Sequence, residues 1–541
     1  MTPASIPTAS PPKPAVLRQK TARTLAFMVL LAAVCQLLPG LDTLRWMPED
    51  ATRLIPRFLR FEHDALPWES SSQTLADTTP VDDEALLALG DADGSAPLGV
   101  GVSARAVAPP PPNPSGPATP TAPAAPSTDA PILLKTTYAE DTPLPPPPEP
   151  RTFGGNLTLM PIEDPHGVMD RFYASLERTS QGQGQTHVVH YGDSLLTGDF
   201  ITQTLRRLFQ KKFGDGGHGF VLGGMPSPWY RRQNLDIQVT GEWHVNRLTR
   251  PHLPSDGAYG LAGVCFHPEK AGNTIEYTVV NQNGTAGQID GQPLNQSIDR
   301  ATVFAWGAPD TGGFEVAADG RTLGQVRGMQ PGGGALYAPF DLPAGTRKVR
   351  VTSTGGGDAR LYGVALDRTG PGVIYDGLGL DGTRAKLLEG FDGPHWFAQL
   401  RARTPNLIVL HYGTNESEAA DLGTKNYRQD LLSIVRRLRA GMPDVPCLLI
   451  GPMDRADNTA GELVSRPVVQ RITDVQRRVA YMEGCAFYDT FKAMGGEGSM
   501  ARWYNNHLAG GDFTHPTAGG ADKLGAMIFA ALMDGYKRAA R

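Results

Sequence analysis

The apolar positions of this chain fall into three regimes. Residues 24–41, TLAFMVLLAAVCQLLPGL, are an unbroken apolar run without a charge. From 42 to 150 no hydrophobic period is sustained. From 151 onward, short apolar runs alternate with stretches of helical spacing. Residues 186–191 (THVVHY) read as a buried strand that leads into a helix with Ile201, Leu205, Leu208 and Phe209 on one face. The basic residues Arg206, Arg207, Lys211 and Lys212 then read as its solvated face. The alternation resumes after 372. Residues 407–412 (LIVLHY), 447–450 and 485–489 read as strands. Helices are expected through Tyr427–Leu431–Ile434–Val435–Leu438, from Pro467 through Val468, Ile472, Val475, Val479 and Met482, and over 519–537. Proline suits a first helical turn. Strand–helix alternation of this kind predicts an α/β fold, a parallel sheet covered by helices on both faces.

Residues 221–372 follow another pattern. Short strand candidates recur between Gly, Pro, Asn and Asp turns, at 235–239, 261–266, 274–280, 302–306, 335–342, 348–352 and 361–366. No long helical period interrupts them. This spacing predicts a β-sandwich. It is inserted between the first strand–helix unit and the rest of the α/β domain.

Composition sharpens the boundaries. The chain has 541 residues, with 63 Gly and 47 Pro. Seventeen of the prolines lie in residues 97–150, and all but six of the glycines lie after 150. The proline runs at 109–112 and 145–148 favour extended polyproline II. We therefore expect a cytoplasmic tail (1–23), a transmembrane signal anchor (24–41) and a Pro-rich, mostly disordered linker (42–150). A first part of the α/β domain (151–220), the inserted sandwich (221–372) and a second part (373–541) follow. The apolar run would span about 27 Å as a helix, close to a bilayer core. Lys13, Arg18, Lys20 and Arg23 precede it, which puts the N-terminus in the cytoplasm and the remainder on the periplasmic or extracytoplasmic side. A cleaved signal peptide and a lipoprotein acylated at Cys35 are the competing readings, and both export the same domain.

A net charge of −5 gives no basic surplus for nucleic acid. The four cysteines have no CxxC spacing, so neither a zinc site nor a disulfide scaffold is expected. Cys447 and Cys485 open neighbouring elements, and a single bridge or a buried free pair both fit.

Four short segments carry chemistry. Gly192-Asp193-Ser194 stands at a strand's C-terminal end, where open α/β sheets bind ligands. A serine nucleophile needs a base, and the base needs an acceptor to fix its tautomer. Asp512-Phe513-Thr514-His515 can supply both on one turn. Gly413-Thr414-Asn415 ends a second strand, and an Asn amide there can donate to a developing oxyanion. In Gly379-Leu380-Asp381-Gly382-Thr383 a glycine lets a backbone N–H approach the same oxygen.

The order Ser, Gly, Asn, Asp-x-x-His resembles the SGNH (GDSL-type) hydrolase family over 151–220 and 373–541. The resemblance implies Ser194 as nucleophile, His515 as base and Asp512 as its orienter. It implies an oxyanion hole from the Ser194 N–H, Gly382 and Asn415. Gly382-Thr383 matches the family's glycine better than Gly379. Glu416 stands where many members have Asp after the Asn. YGDSLLTGDFITQTLRRLFQKKFGDGGHGF, YGTNE and the GGEGSM segment before Trp503 further resemble bacterial peptidoglycan O-acetylesterases. Those enzymes carry a carbohydrate-binding-module-like sandwich in the corresponding place. The expected function is removal of O-acetyl groups from a cell-envelope polysaccharide, peptidoglycan first, without metal or cofactor.

The main alternative is a polysaccharide O-acetyltransferase, with the same triad served by a membrane-bound acyltransferase partner. A non-catalytic wall-binding protein is a third reading, disfavoured because every catalytic residue type is present. His190 and His411 read as core histidines. Trp229, Tyr230, Trp243 and Trp306 fit sugar stacking or core packing equally well.

Overall fold

The computed structural model describes residues 83–90, 138–153, 157–249, 254–280, 288–289, 292–328 and 333–540. The apolar run at 24–41, with its anchor, signal-peptide and lipoprotein readings, lies outside the described residues. Among the described residues no helix is long and apolar enough to cross a membrane.

Five strands form the central sheet: β1 (Gln185–Gly192), β2 (Gly372–Gly379), β3 (Leu407–His411), β4 (Cys447–Ile450) and β5 (Ala486–Tyr488). Their order is β2-β1-β3-β4-β5, and every pairing is parallel. Alternate residues serve two cores. Leu407 and Val409 point into the cluster shared with α1 (Asp170–Ser180), α3 (Phe200–Phe213) and α7 (Ala518–Ala539). Ile408 and Leu410 point into the other, shared with α4 (Gly393–Arg403), α5 (Thr424–Gly441) and α6 (Pro467–Glu483). Both faces are buried, which is why these strands read as near-continuous apolar runs. β2 escaped the sequence reading, because three glycines break its apolar pattern.

Two antiparallel sheets stand between β1 and β2 in the chain. One has the order Gly334–Asp341, Arg300–Gly307, Arg360–Asp367, Val264–Pro268, Trp243–Arg247. Gly217–Leu222 also pairs with Arg360–Asp367. The other has the order Arg321–Val326, Phe314–Ala318, Lys348–Ser353, Thr274–Val279, Leu235–Thr240. Phe266 and Leu361 of the first and Ile275 and Val351 of the second share one hydrophobic cluster. The strands at 217–222, 243–247, 314–318 and 321–326 were not anticipated. Gly217 and Gly219 in the first of these take positive φ, which masks its strand pattern.

The basic face of α3 is not solvated. Arg206 is fully buried and bonds Asp199 at 2.7 Å, and Arg232 reaches the same carboxylate at 3.0 Å. Arg207 and Lys211 pair with Asp83, and Lys212 donates to the Leu87 carbonyl. Asp83–Leu87 is thus a short helix seated on α3, inside the stretch expected to be linker, with Leu86 buried. Residues 138–150 also lie along the α/β domain: Arg477 donates to the Pro145 carbonyl at 2.7 Å and Lys492 pairs with Glu149 at 3.0 Å. Acidic and carbonyl groups spaced along the linker meet basic side chains on α3, on α6 and on the short helix Thr490–Ala493, so these pieces dock instead of running free.

Cys447 and Cys485 form a disulfide, with Cα atoms 4.8 Å apart. β4 and β5 are parallel neighbours, so residues at the same end of each face one another. His190 and His411 stack in the sheet's core, with centroids 5.5 Å apart. His190 Nδ1 bonds the Tyr375 hydroxyl at 2.9 Å, and both rings are fully buried.

Candidate active site

β1 ends in a glycine because nothing larger fits: a Cβ on Gly192 would lie 2.5 Å from Leu196 and 2.9 Å from the His411 carbonyl. The chain then turns sharply into α2 (Ser194–Thr197). Asp193 caps it, accepting the Leu195 N–H at 3.0 Å. This places Ser194 on the first helical turn at the C-terminal edge of the sheet, half-buried.

Asp512 and His515 come from a tight loop before α7. One Asp512 oxygen accepts the backbone N–H groups of Thr514 (3.1 Å) and His515 (3.0 Å). The other meets His515 Nδ1 at 2.6 Å. Burial opposes the carboxylate's charge, but the His515 ring and these two N–H groups outweigh it and hold its pKa below the ordinary value. A carboxylate only accepts, so Nδ1 carries the ring proton and Nε2 offers its lone pair. That lone pair faces Ser194 Oγ at 2.8 Å. Phe513, between the two, takes φ +52°, a conformation the surrounding bonds impose.

The two remaining candidates are joined to each other. Gly382 takes φ +73° in the turn closed by Thr383 N–H to the Leu380 carbonyl (3.2 Å), which glycine adopts without steric cost. Leu380 N–H donates in turn to the Gly192 carbonyl at 3.1 Å, tying this turn to the strand that leads into Ser194. Asn415 Nδ2 donates to the Thr383 carbonyl at 2.9 Å. One amide hydrogen is used there, and the second is available for an oxyanion.

Some supporting roles were not legible in the sequence. Glu416 is buried behind Asn415 and accepts the Ala385 N–H at 2.9 Å, a second link between the two loops. Burial, and then the nearby Asp193, push its pKa up to about 7. Arg455 donates to Thr514 Oγ1 (3.1 Å), the Thr414 carbonyl (2.8 Å) and Ser417 Oγ (2.9 Å). It fixes the His515 loop to the Asn415 loop. Its signal was its place just beyond β4, at the same sheet edge as Ser194. From the insertion, Arg247 bonds the Asp381 carbonyl and carboxylate, each at 2.9 Å, and Ser227 Oγ donates to Asp381 at 2.8 Å. Among the described residues no group of three or more His, Cys, Asp or Glu is placed to hold a metal ion.

The imidazole between a serine hydroxyl and a carboxylate, with an Asn amide nearby on a parallel sheet's edge, belongs to a carboxylic ester hydrolase. Residues 344–523 match the GDSL-like Lipase/Acylhydrolase family. That span contains Gly382, Asn415, Asp512 and His515, while Ser194 precedes it and joins them through the fold. The match thus falls on the second of the two segments whose motifs resemble the SGNH (GDSL-type) family.

Among solved structures, "Peptidoglycan O-acetylesterase in action, 5 min" is similar at 22% identity and TM-score 0.57, over 68% of this chain and 96% of that one. A salicylyl-acyltransferase, SsfX3, from a tetracycline biosynthetic pathway is 16% identical at TM-score 0.22, over 56% and 95%. A family two carbohydrate esterase from Clostridium thermocellum is 11% identical at TM-score 0.20, over 57% and 97%. No curated protein matches the chain.

Proposed function

We propose that this protein is a serine esterase that removes O-acetyl groups from a cell-envelope polysaccharide, peptidoglycan foremost. The observation that carries the reading is the unbroken line Ser194 Oγ–His515 Nε2 and His515 Nδ1–Asp512. Ser194 Oγ attacks the acetyl carbonyl carbon while His515 Nε2 takes its proton. The negative oxygen is held by the N–H groups of Ser194 and Gly382 and the Asn415 amide. His515 returns the proton to the sugar oxygen as the C–O bond breaks. A water, deprotonated by His515, then attacks the acetyl-enzyme, and acetate leaves as the proton returns to Ser194.

The substrate assignment is supported by the nucleophile-region motif and by a fold shared with a solved peptidoglycan O-acetylesterase. An exported location, with residues 24–41 as a membrane anchor, is supported by the charge asymmetry around that run and by the Cys447–Cys485 disulfide. Structural disulfides persist in oxidising compartments.

The test is acetate release from O-acetylated peptidoglycan, xylan and alginate, with Ser194→Ala as control. Release from peptidoglycan that the control lacks is the expected result. Release only from another polymer overturns the substrate. Transfer of acetyl to a glycan acceptor in preference to water makes the protein an O-acetyltransferase working with a membrane acyl-transfer partner.

A further inference from the structure

Among the described residues four large apolar side chains are exposed: Trp229 (43%), Val239 (39%), Val464 (47%) and Tyr504 (39%). Two of them are aromatic, and both stand on segments bonded to the catalytic loops.

Trp229 belongs to the insertion. The segment carrying it is fastened at both ends to the walls of the site. Ser227 Oγ donates to Asp381, the residue before Gly382. The Arg231 N–H donates to the Thr197 carbonyl at 3.0 Å, in the helix that Ser194 opens. Arg247 adds a bond to the Pro226 carbonyl at 3.1 Å while it holds Asp381. Tyr230, next to Trp229, is buried with its hydroxyl accepting the Leu222 N–H. The indole is therefore displayed from a braced strap between the nucleophile helix and the oxyanion turn. The other tryptophans named from sequence differ. Trp306 lies under Arg360 at 5.1 Å and edge-on to His395, and Trp243 bonds the Thr240 carbonyl at 3.3 Å.

Tyr504 stands on the short helix Ser499–Asn505. Its ring meets Phe513 edge-on, with centroids 5.0 Å apart, and Phe513 lies between Asp512 and His515. Asn505 and Asn506, beside it, are exposed.

We propose that Trp229 and Tyr504 are the two walls of a polysaccharide subsite that holds the pyranose rings flanking the ester over Ser194. The inference rests on the esterase reading. A pyranose ring presents C–H groups on its faces and hydroxyls on its rim. Flat, rigid aromatics suit the faces, and amides such as Asn505 and Asn506 suit the rim. An alkyl chain would want a continuous apolar groove, whereas exposed polar residues, Arg502, Asn505 and Asn506, accompany Tyr504. The insertion thus shapes the site that the α/β domain opens, and its aromatic is a specificity-determining residue.

The experiment compares Trp229→Ala, Tyr504→Ala, Trp229→Phe and Tyr504→Phe with the wild type. The substrates are O-acetylated peptidoglycan, p-nitrophenyl acetate and p-nitrophenyl octanoate. The alanine variants are expected to lower the ratio of kcat/KM on the polymer to that on the acetate about tenfold, mainly through KM, the size of one aromatic contact. The Phe variants keep most of the ratio. An unchanged ratio in both alanine variants overturns the subsite, as does an equal or larger loss on the octanoate, which makes the rings an acyl-chain contact. Full activity of Ser194→Ala is a separate failure, since it overturns the esterase reading beneath.

Discussion

Asn415 Nδ2 donates to the backbone carbonyl of Thr383, 2.9 Å away. Two segments distant in sequence, the one with Asn415 and the one with Gly382 and Thr383, are thereby tied together. Asn415→Ala removes both a donor and this link. Turnover on p-nitrophenyl acetate should fall about 10²–10³-fold. The melting temperature should change little, because the side chain is only half-buried.

His515 has its tautomer set by Asp512 at 2.6 Å. Asn at 512 can donate to the Nδ1 it faces, which moves the ring proton to Nε2 and leaves no lone pair there to accept the Ser194 proton. Asp512→Asn should reduce kcat about 10³–10⁴-fold, with a circular dichroism spectrum like the wild type's.

Glu416 gives a pH signature. Its carboxyl titrates at about 7 in the fold against 4.5 unfolded. Between those values the native state keeps a proton that the unfolded state has lost, so this group's contribution falls as pH rises from about 4.5 to about 7. Glu416→Gln keeps an acceptor for the Ala385 N–H and removes the titration. Urea unfolding should find the variant and wild type similar at pH 4.5. At pH 8 the variant should be more stable, by on the order of 3 kcal/mol at most. A constant difference at the two pH values would show that Glu416 does not titrate there.

Asp376, on β2, is fully buried with Arg403 (2.8 Å) and His187 (3.1 Å), and it accepts the Phe220 N–H at 2.7 Å. Burial opposes its charge, but Arg403 and His187 hold the carboxyl well below the usual range. Asp376→Asn leaves Arg403 without its innermost counter-charge. Chemical denaturation should show a loss of about 3–5 kcal/mol.

The Cys447–Cys485 bridge closes a separation of 38 residues. Both sulfurs are buried, so alanine fits the site better than serine. Chain entropy assigns the bridge about 4 kcal/mol. Cys447→Ala/Cys485→Ala should lose stability on that scale in urea. Reductant should then have no further effect on the variant.

The central sheet was legible because its strands are buried on both faces, and LIVLHY or THVVHY admits little else. The helices α3, α5 and α6 showed their inward faces through spacing alone. β2 was hidden by its glycines. Arg206 was misread because a charged side chain on a helix is ordinarily solvated. Only the fold puts Asp199 beside it and Arg232 beyond, and Asp199 does so from φ +61°.

The same division holds at the site. The sequence by itself determined the candidate groups: Ser194 at a strand end, Asp512 and His515 three residues apart, Asn415 and a glycine-bearing turn. Local chain chemistry suffices for these, since each needs only its own turn or strand end. Tertiary structure alone decided how they meet. Ser194 reaches His515 across 321 positions, and Arg455, Glu416 and the insertion's Arg247 brace the loops between. Such contacts join carbonyls and carboxylates to side chains far away in the chain. No local pattern encodes them, because any arginine or glutamate can make such a bond and only the folded backbone selects which one does.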